Sequence, residues 1–133
     1  MGLKYLWDTN TVIYYLQNQF PPGGEKFIEK VLEGSDPAFS VITEIELLCW
    51  KTSSKKDIQI LHGFIENSLV IELSNEIKLV TAELRKEFKV KLPDAIIAAT
   101  AICHGLTLLS RNVKDFDRIE DLSLMDPHKQ KVD

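Results

Sequence analysis

Only two cysteines occur in the chain, Cys49 and Cys103, far apart and without a C-x-x-C spacing. That leaves no disulfide framework and no cysteine-based zinc site, and both residues are expected as small buried apolar groups in a reducing compartment. Histidine is also sparse. His62, His104 and His128 lack ligand spacing, which argues against a zinc centre or a His-dependent site. Long apolar runs are missing, and no stretch approaches the roughly 18 residues that a membrane span needs. No basic segment followed by an apolar one marks a signal peptide, and Leu6 stands where a myristoylation signal wants Ser or Thr. A cytoplasmic protein with no membrane association is expected. With six glycines and five prolines there is no glycine-rich phosphate loop and no G-x-S-x-G elbow, so P-loop and serine-hydrolase chemistry lose support. Positive charge is not in excess: 16 Lys and Arg face 20 Asp and Glu, for a net charge of −4 and a pI near 5.4. Proteins that hold nucleic acid by bulk electrostatics are usually basic. Any such role here must use a local patch or bound cations.

What the chain does have is alternation. At 133 residues and 44% hydrophobic, it reads as one domain, residues 1–133, with enough apolar surface for a core. Leu3-Lys4-Tyr5-Leu6-Trp7 is a strand that stops at Asp8-Thr9-Asn10, and Val12, Ile13 and Leu16 continue at helical spacing over about residues 11–18. Phe20-Pro21-Pro22-Gly23-Gly24 reads as a loop, and Phe27, Ile28, Val31 and Leu32 as a helix ended by Gly34. Residues 38–42 form a strand, and Thr43 opens a helix whose Ile45, Leu48 and Cys49 line one face. After the polar, basic stretch 51–56 comes a helix with Ile58, Leu61, Phe64 and Ile65 on one side. A strand at 69–73 leads into a Ser74-capped helix carrying Ile77, Val80, Thr81, Leu84 and Phe88. Asp94 begins a helix that is small and apolar nearly all round, as a helix buried on several sides must be. Thr107-Leu108-Leu109-Ser110 is a strand, 111–117 a polar loop or short turn, 122–125 a weak last strand and 128–133 a solvated tail. Short apolar strands alternating with helices imply an α/β fold: three layers, α/β/α, around a mostly parallel sheet of four to five strands.

In an open parallel sheet, ligands bind outside the carboxyl ends of the strands. The acids fall there. Asp8 follows the first strand, Glu46 lies one turn into the helix after the second, Asp94 starts the apolar helix, and Asn112, Asp115 and Asp117 follow the strand at 107–110. Carboxylates brought together repel and cannot all stay ionised unaided. A hard divalent cation, Mg²⁺ or Mn²⁺, resolves the conflict, and carboxylates with a cation and water describe metal-assisted phosphodiester hydrolysis. Each acid also has a structural explanation. Asp8 can be a helix N-cap, Glu46 can complete a capping box with Thr43, and Asp94 after Pro93 suits any helix's first turn. Acids such as Asp115 and Asp117 usually have no task in a surface loop.

Four stretches together resemble the PIN-domain ribonucleases, and within them the VapC-like toxins of toxin–antitoxin pairs. They are Leu6-Trp7-Asp8-Thr9-Asn10, Ser40-Val41-Ile42-Thr43-Glu44-Ile45-Glu46-Leu47, Leu92-Pro93-Asp94-Ala95-Ile96-Ile97-Ala98-Ala99-Thr100-Ala101 and Leu109-Ser110-Arg111-Asn112-Val113-Lys114-Asp115-Phe116. The resemblance spans nearly the whole chain, in the family's order and spacing. It implies a PIN-like fold and a Mg²⁺- or Mn²⁺-dependent endoribonuclease that leaves 5′-phosphates. It places the family's acids on Asp8, Glu46 and Asp94, with a more variable fourth on Asp115, Asp117 remaining open. Asn112 matches a supporting polar residue, Ser110 replaces the usual Thr, and Thr9 and Asn10 match the small polar residues after the first acid. Trp50 departs from the family, which often has glycine there. Arg111, Lys114 and Arg118, with Lys86, Lys89 and Lys91, are candidate phosphate contacts. The resemblance further implies an RNA substrate, an antitoxin partner whose tail covers the acidic edge, and a homodimer. Alternatives are a housekeeping RNA-processing nuclease of the same fold, an aspartate-dependent phosphatase, and a non-catalytic phosphoacceptor or binding module. The phosphatase wants a second acid two residues after Asp8, and Asn10 cannot deliver a proton.

Overall fold

Leu6 and Trp7 are consecutive in the first strand, so their side chains leave on opposite faces of the sheet. The layers are laid out around that split. The computed structural model of the chain describes residues 2–131. Among them are five short strands: β1 (Tyr5–Trp7), β2 (Ala38–Ser40), β3 (Leu69–Ile71), β4 (Thr107–Leu109) and β5 (Ser123–Met125). The helices are α1 (Thr9–Leu16), α2 (Pro22–Gly34), α3 (Val41–Leu48), α4 (Lys55–Glu66), α5 (Asn75–Glu87), α6 (Leu92–Cys103) and the single-turn α7 (Val113–Phe116). All pairings are parallel: β1 with β4, β4 with β5, and β2 with β3. β2 runs beside β1 without a ladder between them, so the spatial order is β3, β2, β1, β4, β5 in two hydrogen-bonded groups. Parallel strands need long crossovers, and the helices supply them. The expected α/β/α layering is the observed one.

One face of the sheet carries Leu6 and Leu108 beneath Ile77, Leu84, Ile97, Ala98 and Phe116 of α5, α6 and α7. The other carries Trp7, Phe39 and Leu109 beneath Val12, Ile28, Val31, Leu47 and Leu61 of α1 to α4. Burying a large apolar side chain stabilises by roughly 1.5–3 kcal/mol, so both faces are required. α6 is flanked on several sides, and its Ala95, Ala98, Ala99 and Ala101 are fully buried. Among the described residues no helix is long and apolar enough to cross a membrane.

Four local expectations are corrected. First, Ser40 and not Thr43 starts α3: its hydroxyl accepts the Ile42 N–H at 3.0 Å. No T-x-x-E capping box forms, because Thr43 already lies inside the helix. Second, that earlier start sets the helical phase so that Thr43 and Leu47 face inward, while Ile45 and Leu48 are 52% and 54% exposed and Cys49 is exposed rather than buried. Third, Pro22 opens α2, where its missing N–H is harmless, and Gly23 and Gly24 lie in the first turn. A Cβ on Gly24 would stand 2.7 Å from the Pro127 carbonyl oxygen, and one on Gly23 would collide with the Gln130 carbonyl. These glycines admit a close neighbour. Fourth, that neighbour is the supposed solvated tail. It forms a 3-10 turn at Pro127–Lys129, with Pro127 buried and the His128 ring 4.5 Å from Tyr14 and 4.9 Å from Phe20 between centroids. Residues 132 and 133 of that stretch lie outside the described residues.

Candidate active site

Parallel pairing brings the ends of β1 and β4 to one edge. The Asp8 N–H continues the ladder to the Leu109 carbonyl at 3.0 Å, and the Ser110 N–H donates to the Met125 carbonyl at 3.0 Å. Asp8 and Ser110 are thereby fixed side by side. Asp8 itself, rather than Thr9 or Asn10, caps α1. Its Oδ1 accepts the Thr9 N–H at 2.8 Å, and its Oδ2 accepts the Ser110 hydroxyl at 2.7 Å. Cap and site are therefore one residue, which is 5% exposed. The Thr9 hydroxyl is released toward α3, where it lies 3.0 Å from the Thr43 hydroxyl and donates to Glu46 Oε1 at 2.6 Å.

The other two acids arrive from the opposite side. α6 opens after Lys91 with no side-chain cap, Pro93 occupies its first turn, and Asp94 follows, partly buried. Asp115 projects from α7, where Asn112 donates through Nδ2 to Asp115 Oδ2 at 2.6 Å. Ser110 is the hub: besides donating to Asp8, its oxygen accepts the Asn112 N–H at 3.0 Å and the Asn10 amide at 3.5 Å. The Arg111 N–H reaches Asn10 Oδ1 at 3.4 Å, while its guanidinium donates to the Tyr14 hydroxyl at 3.0 Å and sits 5.4 Å from that ring's centroid. Asp117 ends α7, exposed and without a side-chain bond to this network.

Electrostatics ties the acids together. Burial above all, then the charges of Asp94 and Glu46, push the Asp8 carboxyl up to about 6, against the opposing hydrogen bonds from Ser110 and Thr9. Burial likewise raises Asp94, followed by the charges of Asp115 and Glu46, with Lys91 opposing. The charges of Asp94 and Glu46 thus act on Asp8, and those of Asp115 and Glu46 on Asp94, while Asp117 is not among the groups that act on either.

The cluster offers oxygen donors alone, the set that hard cations such as Mg²⁺ choose. Among the described residues no three His, Cys, Asp or Glu side chains stand together so that they could hold a metal ion as they are arranged. Thr9 holds Glu46 and Asn112 holds Asp115, and Mg²⁺ keeps several waters and is bound through one or two carboxylates. The chemistry of the donors fits such a cation; their spacing in this arrangement does not close around one. Two contributors escaped the sequence pattern, Thr43 and Tyr14. A hydroxyl three residues before Glu46 in α3 was the available signal for Thr43. Tyr14 carried none, because its partner Arg111 is 97 residues away.

Comparison with known proteins bears on the same stretches. The family model described as PIN domain matches residues 5–122. The chain is 29% identical over 132 residues to the tRNA(fMet)-specific endonuclease VapC of Salmonella typhimurium, covering 93% of this chain and 98% of the relative. It is 31% identical over 128 residues to ribonuclease VapC2 of Rickettsia felis, covering 90% and 95%. Among solved structures, DNA-bound VapBC from Salmonella typhimurium aligns with a TM-score of 0.79 at 27% identity, covering 95% of this chain and 99% of that one. A toxin–antitoxin complex from Klebsiella pneumoniae aligns with a TM-score of 0.70 at 34% identity, covering 93% and 98%.

Proposed function

The chain belongs to the PIN-domain family, within its VapC group, and on that premise we propose that it is an endoribonuclease toxin. In this reading it hydrolyses RNA phosphodiester bonds with Mg²⁺ or Mn²⁺ held by Asp8, Glu46, Asp94 and Asp115. The observation that carries it is that the Asp8 and Asp94 carboxyls are both raised at the carboxyl edge of a parallel sheet, by burial first and then by the charges of neighbouring acids that include Glu46 and Asp115. Capping explains Asp8 alone, and gathering other acids around two buried carboxyls raises the cost of ionising those two. When bound, a divalent cation supplies the charge that activates water and stabilises negative charge on a phosphate under attack.

The chain's own residues prepare that chemistry. Ser110 and the Thr9 N–H hold the Asp8 carboxylate in one orientation. The Thr9 hydroxyl restrains Glu46 and Asn112 restrains Asp115, so both outer acids are aimed before substrate arrives. Asp94 rides on α6, whose buried alanines make it rigid. Arg111 is kept beside the centre by Asn10 and Tyr14, exposed to solvent as a phosphate contact must be. The relatives named above include toxin–antitoxin complexes, and the same kind of antitoxin partner is proposed here, together with homodimer formation. Exposed Ile13, Ile45, Leu48 and Trp50 supply apolar surface for such partners.

The test uses purified chain and labelled RNA. Mg²⁺-dependent internal cleavage is expected from the wild type and a loss of at least about a hundredfold from Asp94→Ala, by analogy with removal of a main charge-stabilising group. Undiminished cleavage by Asp94→Ala would sink the assignment.

A further inference from the structure

Beside the acid cluster opens a cleft of about 550 Å³ whose two walls are oppositely charged. Asp94 and Asp115 form one wall. Arg85, Phe88, Lys89 and Lys91, from the end of α5 and the turn into α6, form the other. Among the described residues the one Lys or Arg ion pair is Lys86 with Glu83, so none of the three cations of the cleft is locked in an ion pair, while the Lys91 charge acts on nearby Asp94. The turn that carries them is held in place: the Arg118 guanidinium donates to the Lys89 carbonyl at 3.1 Å. α6 begins at this cleft without a side-chain cap and with Asp94 in its first turn. Phe88 adds an apolar ring that is partly exposed.

We propose that this cleft seats a backbone phosphate of single-stranded RNA immediately flanking the one at the acid cluster, with Arg85, Lys89 and Lys91 as its ligands and Phe88 as a platform for the adjoining base. The proposal deepens the nuclease reading and rests on it. It accounts for how a chain of net charge −4 can hold a polyanion, because attraction is confined to one wall. It also assigns the cleft a positioning task rather than base discrimination, since phosphate contacts set register and stacking on an aromatic ring tolerates any base.

The test measures affinity for a fluorescein-labelled single-stranded RNA oligonucleotide over a salt series without divalent cation, then steady-state cleavage with Mg²⁺. Arg85 and Lys89 are exposed, so Arg85→Ala/Lys89→Ala should retain the wild-type circular dichroism spectrum. Losing one neutralised phosphate on a single strand lowers the slope of log K against log salt by about 0.7, the change expected for the double variant. KM should rise with kcat largely kept. Lys55→Ala/Lys78→Ala removes the same charge outside the cleft and should leave slope and KM unchanged. A slope and KM equal to wild type in Arg85→Ala/Lys89→Ala, or an equal loss in the control, overturns the seat. If the wild type cleaves no RNA, the nuclease reading fails, and the salt slope alone still decides whether the cleft binds the strand.

Discussion

At neutral pH without a cation, an Asp8 carboxyl that titrates near 6 instead of the ordinary 3.8 weakens the fold. The folded state binds this proton more tightly than the unfolded chain. Its contribution is therefore complete below the unfolded value and is lost as pH rises through about 6, a difference of about 3 kcal/mol by pH 7. Asn at this position can still accept from Thr9 and can donate to the Ser110 oxygen, while carrying no charge. Asp8→Asn is accordingly expected to stabilise the cation-free chain by about 1–3 kcal/mol at pH 7 and by almost nothing near pH 4, as read from thermal melts. It should also abolish cleavage and remove the rise in Tm that Mg²⁺ gives the wild type, since a ligand that binds only the folded state stabilises it. Wild-type cleavage should fall as pH drops, because the proton on Asp8 competes with the cation, and the pH of the fall should move down as Mg²⁺ is raised. A variant that melts lower than wild type at pH 7 would show that Asp8 is a structural cap and little else.

Helix starts carry the site at the scale of elements. Ser40 begins α3 and so turns Thr43 toward Thr9; Asp8 begins α1; Pro93 stands in the first turn of α6, one residue ahead of Asp94. Each start was visible as a polar residue before an apolar run, but its exact position was not, because Ser40 and Thr43 are both favoured cap residues and the end of β2 places the start at Ser40. The first turn of α2 makes a sharper case. Gly23 and Gly24 look like loop residues in isolation, yet they are helical and small because Pro127 and Gln130 cross them. Gly24→Ala should destabilise by about 1–3 kcal/mol through overpacking. Gly63→Ala, inside α4 with nothing within 4 Å, should stabilise by about 0.5–1 kcal/mol through helix propensity. Chemical denaturation of both variants distinguishes packing from backbone freedom. A loss at both positions would refute the close approach of residues 127–130 as the reason for the glycines.

Association concerns the whole molecule. The face of α3 that its pattern offered to the core is turned outward, and Ile45 and Leu48 remain more than half exposed. Trp50, the departure from the family's usual glycine, extends that surface. Ile45→Glu/Leu48→Glu should change stability by no more than about 0.5 kcal/mol per site, as surface substitutions do. It should weaken association with an antitoxin or a second copy, as read by co-purification and sedimentation. Unchanged assembly with an unchanged fold would place the partner surface elsewhere.

The amino-acid sequence by itself determined the layered α/β class, because strand and helix periodicities are local. It also determined which acids stand after strands, and that any cation here would be held by oxygen. Tertiary structure decided what depends on distant neighbours: that Asp8 is both cap and coupled acid, that Asp115 and not Asp117 joins Asp94, and that Thr9 reaches Glu46. It also decided that the turn at Pro127–Lys129 packs on α2. Thirty-seven residues separate Thr9 from Glu46 and 102 separate Asp8 from Ser110. Pairs that far apart meet only once parallel strands have stacked their carboxyl ends along one edge, and no local pattern encodes that meeting.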